Sequence, residues 1–473
     1  MAGQYVRCNA FIAELFGTDG IRARAGEFPL NEKTVAVIGA SLSRSFAERL
    51  GRAPRFVSGR DTRESGQWIE RALHQGVTAA GGAIESSSVI TTPGVAFLTG
   101  CFGFDAGIVI SASHNPFQDN GIKVFLPNGR KLDEPTEKLI EKDIRSGPET
   151  TVAEDGAVDT SRADEFHSAY IRHLKGHFSN LRLDGMAIVV DCANGAACEY
   201  AGDLLGGLGA AVHLVNASPN GRNINENCGS LHLDALQEKV TDLQADLGVA
   251  YDGDADRALF VDDQGNIVDG DAKLWILARR LMEEGRLMGS KVVATVMSNI
   301  GLEIALESRG ISLVRTAVGD KYVLEELLRS GSAIGGEQSG HIIFPRESLV
   351  GDGMMTTLFL LEALTAKRRK LSEAVEGFVR YPQVLINVHV HEKRPFEEVP
   401  AIAQAAERIE SELAGTGRLL LRYSGTENLA RVMIEGRDQA EIEELAAKLA
   451  AIIEKELGGP GEHRGRAVTR PIK

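Results

Sequence analysis

The sequence predicts an α/β protein with several domains, and three observations support this. The chain has 473 residues, whereas single hydrophobic cores stop growing at about 250–300 residues. Short apolar runs alternate with amphipathic helical stretches through most of the chain, as in α/β units with largely parallel strands. Near residue 384 the pattern changes, because residues 384–390 alternate like an antiparallel strand beside two helical stretches.

The elements follow one another in chain order. The β-type runs cover residues 55–58, 107–110, 121–125, 187–190, 247–251, 258–261, 291–295 and 312–315. The helical patterns cover residues 32–50, 166–170, 234–246, 274–284 and 322–329. Polar stretches near 146–164, after 265 and near 367–382 predict four domains: 1–155, 156–262, 263–372 and 373–473. Residues from 458 onward are rich in Gly, Pro and Arg and predict a flexible tail.

Composition and charge exclude several function classes. A net charge of −14 argues against nucleic acid or an anionic membrane surface as partner. Apolar stretches are too short for a membrane span, and the first residues lack a signal-peptide core. Five cysteines without metal-ligand spacing (Cys8, Cys101, Cys192, Cys198 and Cys228) indicate a reduced, cytoplasmic protein. A small anionic substrate stays possible, because the motifs described below contain many Arg and Lys residues.

The segment Asp252-Gly-Asp-Ala-Asp-Arg257 is the strongest candidate for a metal site. It lies between two apolar runs, and in extended backbone its three carboxylates would point the same way. They would repel one another unless a cation held them, and oxygen ligands favour Mg²⁺, Ca²⁺ or Mn²⁺. An EF-hand loop needs Gly where Arg257 stands. The alternative is a solvated acidic turn between two strands, and Arg257 favours an anion sharing the site.

Ser111-Ala-Ser-His-Asn-Pro116 is a candidate for nucleophilic catalysis. It follows the predicted strand 107–110, and a hydroxyl at a strand end is well placed to meet a ligand. The chain then returns through residues 121–125, which brings Lys123 to the same end. The alternative is an Asn/Pro turn with a capping Ser. Residues 336–340 read G-x-x-S-G, which is not the G-x-S-x-G of a nucleophile elbow.

Two further polar segments carry specific predictions. Arg422-Tyr-Ser-Gly-Thr-Glu-Asn428 follows a β-type run and offers guanidinium, hydroxyl and free amide donors, which together can bind a phosphate. Arg431 returns on the next strand, although a charged hairpin turn would have the same composition. Residues 269–272 open a helix, and there Asp271 is predicted to be the N-cap.

Seven segments in the same order resemble the α-D-phosphohexomutase family over nearly the whole chain. They are Phe16-Gly-Thr-Asp-Gly-Ile-Arg22, Gly59-Arg-Asp-Thr-Arg63, the segment with Ser113, the acidic loop at Asp252, Val318-Gly-Asp-Lys-Tyr322, Gly336-Glu-Gln-Ser-Gly-His341 and the loop at Arg422. Gln338 and residues 223–230 are most similar to the bacterial hexosamine-phosphate branch. Mannose- and glucose-phosphate relatives more often carry Met at the position of Gln338.

The resemblance implies three doubly wound α/β domains around a cleft, a C-terminal α+β domain, and a phosphoserine enzyme that isomerises hexosamine phosphates. It implies one Mg²⁺ held by Asp252, Asp254, Asp256 and phosphorylated Ser113, with a sugar 1,6-bisphosphate as intermediate and activator. The catalytic residues it implies are Ser113, Lys123, Arg22, His341 and Arg257. The implied sugar ligands are Glu337, Ser339, Gly319 and Asp320, and the implied phosphate ligands are Arg422, Ser424, Gly425, Thr426 and Arg431.

Some implications stay open. Ala23 stands where the family usually has Gly, and Arg24 lies close in sequence to Arg22. The resemblance is compatible with a monomer or a homodimer. A non-catalytic phosphosugar-binding protein on the same scaffold is the alternative from another class, although mere binding needs no phosphoryl carrier.

Overall fold

The computed structural model describes residues 15–17, 19–147, 157–424 and 427–458. The predicted tail, apart from Gly458, lies outside these residues. The chain divides into two compact units, Met1–Val293 with Gly319–Val375 and Ala294–Val318 with Glu376–Lys473. None of the helices in the described ranges has the length and apolarity that crossing a membrane requires.

The first α/β segment has a six-stranded sheet in the order β1-β2-β6-β5-β3-β4. Its strands are β1 Phe16–Gly17, β2 Gly20–Arg24, β3 Arg55–Arg60, β4 Ala83–Val89, β5 Ala106–Ile110 and β6 Asp119–Phe125, and its helices are α1 Glu32–Leu50, α2 Glu64–Ala79, α3 Thr92–Cys101 and α4 Glu134–Ser146. β3 runs parallel to β4 and β5, whereas β6 is antiparallel to β5 and β2. The backbones of α1 and α2 are in close contact: a Cβ on Gly76 would lie only 2.0 Å from the Ala36 carbonyl oxygen.

The second α/β segment has a five-stranded sheet in the order β11-β10-β9-β7-β8. Its elements are α5 Ala163–His177, β7 Ala187–Asp191, α6 Ala201–Gly206, β8 Ala211–Val215, α7 Asp234–Leu243, β9 Leu247–Tyr251, β10 Ala258–Asp262 and β11 Ile267–Val268. β7 is parallel to β8 and β9. β9 and β10 are buried throughout and antiparallel, with Tyr251 opposite Ala258. The acidic loop therefore closes a buried hairpin.

The third segment contains helices α8 Gly270–Glu283, α9 Ile300–Glu307, α10 Asp320–Ser330, α11 Gly353–Lys367 and α12 Leu371–Ala374, and strands β12 Lys291–Thr295, β13 Ser312–Thr316, β14 Gly335–Gly336 and β15 Ile342–Ile343. The division between the two compact units passes through β12. The predicted N-cap of α8 was wrong. Asp269 has an extended backbone and accepts from the Ala272 amide, so the helix begins at Gly270 and Asp271 lies in its first turn. Either Asp fits the N-cap preference, so composition could not separate them.

The C-terminal segment is an α+β structure with a three-stranded antiparallel sheet in the order β16-β18-β17. Its elements are β16 Gln383–His389, α13 Pro400–Leu413, β17 Gly417–Tyr423, β18 Leu429–Gly436 and α14 Gln439–Leu457. The alternating residues 384, 386 and 388 are buried against the apolar faces of the helices. The predicted class, three α/β segments followed by an α+β segment, is confirmed.

Candidate functional site

The three carboxylates of the acidic loop converge. One oxygen from each of Asp252, Asp254 and Asp256 lies within 4.8 Å of the other two, and all three residues are buried. The prediction assumed an extended backbone for this loop, however, and that assumption was wrong. The loop is a turn in which Ala255 has a φ of 55°, so the turn rather than strand alternation brings the acids together.

The electrostatics of this loop suit a divalent cation. Burial raises the pKa of Asp252 well above its usual range, and the neighbouring charges of Asp256 and Asp254 raise it further. Within the described residues, Asp254 Oδ1 and Asp256 Oδ1 are buried and accept no hydrogen bond. Buried carboxylate oxygens without donors are costly, and converging oxygens are the donor set that Mg²⁺ or Ca²⁺ prefers. The residues therefore fit a hard divalent cation.

The Ser113 hydroxyl lies against this acidic loop although the two segments are far apart in sequence. Ser113 Oγ donates to Asp252 Oδ2 at 2.5 Å. The residue follows β5 and has a φ of 52°, in the left-handed region, and its amide donates to Ser111 Oγ at 2.9 Å. The turn at the end of β5 thus directs the hydroxyl toward the three carboxylates.

Lys123 reaches the same cluster from β6, where it is buried opposite Val109 of β5. Its Nζ lies 2.9 Å from Asp254 Oδ2, 3.1 Å from Asp19 Oδ2 and 3.8 Å from Asp256 Oδ2. Burial opposes the charged form, but the three carboxylates outweigh it and raise the pKa of Lys123. The side chain is therefore an ammonium group at neutral pH.

The opening loop contributes a chain of ion pairs. Arg22 pairs with Asp19, and Lys131 lies 2.8 Å from Asp19 Oδ1 and 2.7 Å from Asp320 Oδ2. Burial opposes ionisation of Asp19, but Lys123, Lys131 and Arg22 hold the pKa of this carboxyl well below its usual range. The sequence analysis gave no role to Asp19, although it lies in the segment 16–22 that resembles the family, and no sequence pattern indicated Lys131.

The predicted sugar ligands lie together. Glu337 Oε1 accepts from the Gly319 amide at 3.1 Å, and Ser339 Oγ donates to Glu337 Oε2 at 3.3 Å. Asp320 follows Gly319 directly and begins α10. The turn between β14 and β15 and the turn before α10 therefore bring Gly319, Glu337 and Ser339 into contact, and Asp320 is the next residue in the chain.

His341 and Arg257 border the acidic loop. His341 Nδ1 lies 3.7 Å from Asp256 Oδ1. Burial lowers the pKa of His341, but Asp256 outweighs it and raises the pKa to about 8. Arg257 Nη1 lies 3.1 Å from His114 Nδ1, which is 3.3 Å from Ser113 Oγ.

Burial, with Arg257 and Arg22, lowers the pKa of His114 to about 4, so this imidazole is neutral. The sequence analysis predicted that the segment containing this imidazole could serve nucleophilic catalysis, but it gave His114 no individual role. Thr92, at the start of α3, was missed entirely. Its amide donates to the Asp254 carbonyl at 3.0 Å and its hydroxyl to Asp254 Oδ2 at 2.6 Å.

The predicted phosphate loop lies in the second unit and contains two guanidinium groups, of which that of Arg431 lies 3.5 Å from the Glu427 carboxylate. Arg422 and Arg431 face each other across β17 and β18, and such like-charge pairs are destabilising. Burial and the charge of Arg431 lower the pKa of Arg422. Arg431 Nη2 lies 3.4 Å from Ser424 Oγ, and Lys393, which was not predicted, donates to the Ser424 carbonyl at 2.7 Å. The cluster suits an anion; Gly425 and Thr426 lie outside the described residues.

Comparisons with family models and with curated proteins indicate the same family. Models of the phosphoglucomutase/phosphomannomutase α/β/α domains I, II and III match residues 13–151, 168–265 and 269–381, and the C-terminal domain matches 385–452. A phosphoglucosamine mutase from Solibacter usitatus is 47% identical, with 94% of this chain and 99% of that protein covered. One from Deinococcus radiodurans is 45% identical, with 94% and 98% covered.

Solved structures agree on the fold. A phosphoglucomutase/phosphomannomutase family protein from Burkholderia thailandensis matches with a TM-score of 0.77 at 22% identity, covering 96% of this chain and 100% of that chain. Aspergillus fumigatus N-acetylphosphoglucosamine mutase, solved with GlcNAc-6P and magnesium, matches with a TM-score of 0.65 at 18% identity, covering 96% and 97%.

Proposed function

Because the chain belongs to the phosphoglucomutase/phosphomannomutase family, we propose that it is a phosphoglucosamine mutase that interconverts glucosamine 6-phosphate and glucosamine 1-phosphate. The curated relatives that support this substrate are 45–47% identical over nearly their full length. The single observation that carries the chemistry is the 2.5 Å hydrogen bond from Ser113 Oγ to Asp252. A hydroxyl among three buried carboxylates suits a phosphoryl carrier beside a metal site.

In the proposed reaction Ser113 begins as a phosphate ester. The O1 hydroxyl of glucosamine 6-phosphate attacks the phosphorus, the bond to Ser113 Oγ breaks, and the hydroxyl proton is exchanged through a protein group so that Ser113 Oγ leaves as a hydroxyl. The product is a bound 1,6-bisphosphate. Ser113 Oγ then attacks the 6-phosphoryl group, which restores the phosphoserine and releases glucosamine 1-phosphate. A free sugar 1,6-bisphosphate can activate the unphosphorylated enzyme by the same second step.

Asp252, Asp254, Asp256 and a phosphoryl oxygen on Ser113 would hold Mg²⁺. The ion, when bound, offsets the negative charge of the transferring phosphoryl group. Arg257, which follows the third aspartate and whose Nη1 lies 3.1 Å from His114 Nδ1, would add positive charge beside the transferring group. We assign Arg22 the same supporting role for the phosphoserine.

Proton handling falls to the cations that reach the carboxylate cluster. We assign proton exchange to Lys123, whose Nζ lies 2.9 Å from Asp254 Oδ2. Its ammonium group donates a proton to the leaving oxygen and takes up the proton of the attacking hydroxyl. His341, on the side of the sugar loop, is the second candidate. In each half-reaction the attacking oxygen loses one proton and the leaving oxygen gains one, so the protein ends each step with the protons it began with.

Substrate recognition is divided between two sets of residues. Glu337, Ser339, Gly319 and Asp320 bind the sugar hydroxyls, and the bond between Glu337 and the Gly319 amide supports their acting together. Arg422, Ser424, Gly425, Thr426 and Arg431 bind the phosphate that is not reacting. The repulsion between Arg422 and Arg431 is relieved by such a dianion. The product would feed UDP-N-acetylglucosamine synthesis in the cytoplasm.

A substrate panel tests this function. With Mg²⁺ and glucose 1,6-bisphosphate present, kcat/KM on glucosamine 6-phosphate is expected to exceed that on glucose or mannose phosphates by about 10-fold or more. Higher kcat/KM on glucose or mannose phosphate would instead assign the chain to the phosphoglucomutase/phosphomannomutase activities of its family. Tight binding without turnover on any of the three sugars would support a phosphosugar-binding protein.

A further inference from the structure

Two side chains from distant segments hold the backbone of the serine loop at the same two points. Arg63 Nη2 donates to the carbonyl oxygens of Ser113 at 3.1 Å and Asn115 at 2.5 Å. Asn225 Nδ2 donates to the same two oxygens, at 2.9 and 3.0 Å. We call this arrangement the carbonyl clamp. Because two carbonyl oxygens face the Asn225 amide group, only its NH₂ end can satisfy them.

Each half of the carbonyl clamp is itself fixed. Arg63 is fully buried and paired with Asp61, whose Oδ1 also accepts from the Arg63 amide at 3.0 Å. Asn225 has a φ of 58°, in the left-handed region, and its amide donates to the Ala193 carbonyl at 2.9 Å. Both donors are therefore anchored by contacts outside residues 113–115.

The clamp also sets the distance between the serine loop and the acidic loop. A Cβ on Gly253 would lie 2.6 Å from the Ser113 carbonyl oxygen, so the backbone of the acidic loop touches the clamped carbonyl. Ser113 itself occupies the left-handed region, which a residue with a side chain rarely adopts without support. Loss of a clamp donor would allow the peptide after Ser113 to rotate and move Oγ away from Asp252.

We propose that Asn225, acting with Arg63 through the two clamped carbonyls, is a positioning residue for phosphoryl transfer at Ser113. This inference rests on the proposed phosphoserine chemistry and extends it to a segment, residues 223–230, that contacts no reacting atom. A displacement of about 1 Å at a reacting group can cost about 100-fold in rate. Asn225 is the better half to test, because removing Arg63 would leave Asp61 buried without its cation.

The test compares two variants of Asn225 with the same changes at Asn227. Asn225→Asp replaces the donor with an acceptor of the same shape, and Asn225→Gly removes the amide while permitting the positive φ. Asn227 lies two residues away, also has a positive φ (53°), and its side chain is exposed, so Asn227→Asp and Asn227→Gly are matched controls. All four proteins should keep the wild-type melting temperature to within a few degrees.

Two rates are measured for each protein. The first is the rate at which unphosphorylated Ser113 takes up a phosphoryl group from glucose 1,6-bisphosphate, followed by intact mass. The second is steady-state turnover of glucosamine 6-phosphate. Both Asn225 variants should lower the first rate and kcat by about 10- to 100-fold with KM for the sugar phosphate unchanged, whereas both Asn227 variants should match wild type.

Asn225 variants with wild-type phosphorylation rates would overturn the inference, as would a loss explained by a higher KM or a collapsed melting temperature. The phosphorylation rate does not depend on which hexose phosphate the wild-type enzyme isomerises. A wild-type protein that is phosphorylated but does not turn over glucosamine 6-phosphate would therefore refute the proposed substrate, and the clamp would still be tested by the first rate.

Discussion

Replacing Lys273 with methionine should change how the stability of the protein depends on pH. Lys273 lies in the first turns of α8 and is fully buried. Its Nζ donates to the carbonyl oxygens of Ala258, which follows the acidic loop, and of Gly340 in the sugar loop at 3.1 Å. Burial lowers the pKa of Lys273 from 10.5 to about 7, opposed only in part by Asp269.

The size of the effect follows from linkage. Between pH 7 and pH 10.5 the unfolded chain binds a proton at this lysine that the folded protein has largely lost, so the free energy of unfolding rises with pH in that window. For a folded pKa of about 7 the rise between pH 7 and about pH 9.5 is about 3 kcal/mol. Lys273→Met has no titrating group there and lacks this rise. The hydrogen bonds that the variant loses lower its free energy of unfolding equally at both pH values, so they do not contribute to the change between them.

Tryptophan fluorescence can report the transition locally. The chain has two tryptophans, and Trp275 is buried on α8 beside Lys273, so a Trp68→Phe background leaves one reporter in this segment. Urea unfolding at the two pH values gives the free energy of unfolding of the wild-type and the Lys273→Met protein at each pH. Lys291→Met, at an exposed position of β12, is the control and should show no pH-dependent difference from wild type. If the difference in the free energy of unfolding between wild type and Lys273→Met were the same at both pH values to within about 1 kcal/mol, the burial argument would be refuted.

Other predictions follow from the site and its supports. Asp269→Ala should lower the stability reported by Trp275 by about 1 kcal/mol because it removes the N-cap of α8, whereas Asp269→Asn should retain most of it; equal losses would contradict the assignment. Asp254→Asn should raise the Mg²⁺ concentration that gives half-maximal activity and that raises the melting temperature, and an unchanged Mg²⁺ dependence would refute its place as a ligand. Arg422→Met should raise KM for glucosamine 6-phosphate by about 10-fold or more with a smaller effect on kcat; unchanged KM would count against the phosphate cluster.

Much of the fold could be predicted because its signals are local. Apolar runs such as β9 and β12 were predicted at their observed ends, since a buried strand needs a continuous apolar segment. The alternation in β16 likewise reflects one buried and one exposed face. Helix ends were less certain, because several polar residues can cap the same helix. At α8 the extended backbone of Asp269, which composition does not reveal, decided between two aspartates.

The segments that form the site were predicted from the sequence, but the side-chain contacts between these segments were not. The convergence of the three carboxylates depends on the left-handed Ala255, and no residue preference would place alanine there. Lys131, Thr92 and Asn225 act through contacts to segments far away in the chain. Such contacts leave no periodic pattern, so they can be identified only once the strands that carry them are assembled.

The most direct test of the account follows a labelled phosphate through one turnover. Ser113 would be charged with ³²P from labelled glucose 1,6-bisphosphate, freed of excess donor, and mixed with unlabelled glucosamine 6-phosphate and Mg²⁺. The account predicts that the label leaves Ser113 at least as fast as kcat and appears in sugar phosphate, and that Ser113→Ala neither binds label covalently nor turns over. Glucosamine 1-phosphate formed at the normal rate while the label stays on the protein would contradict it.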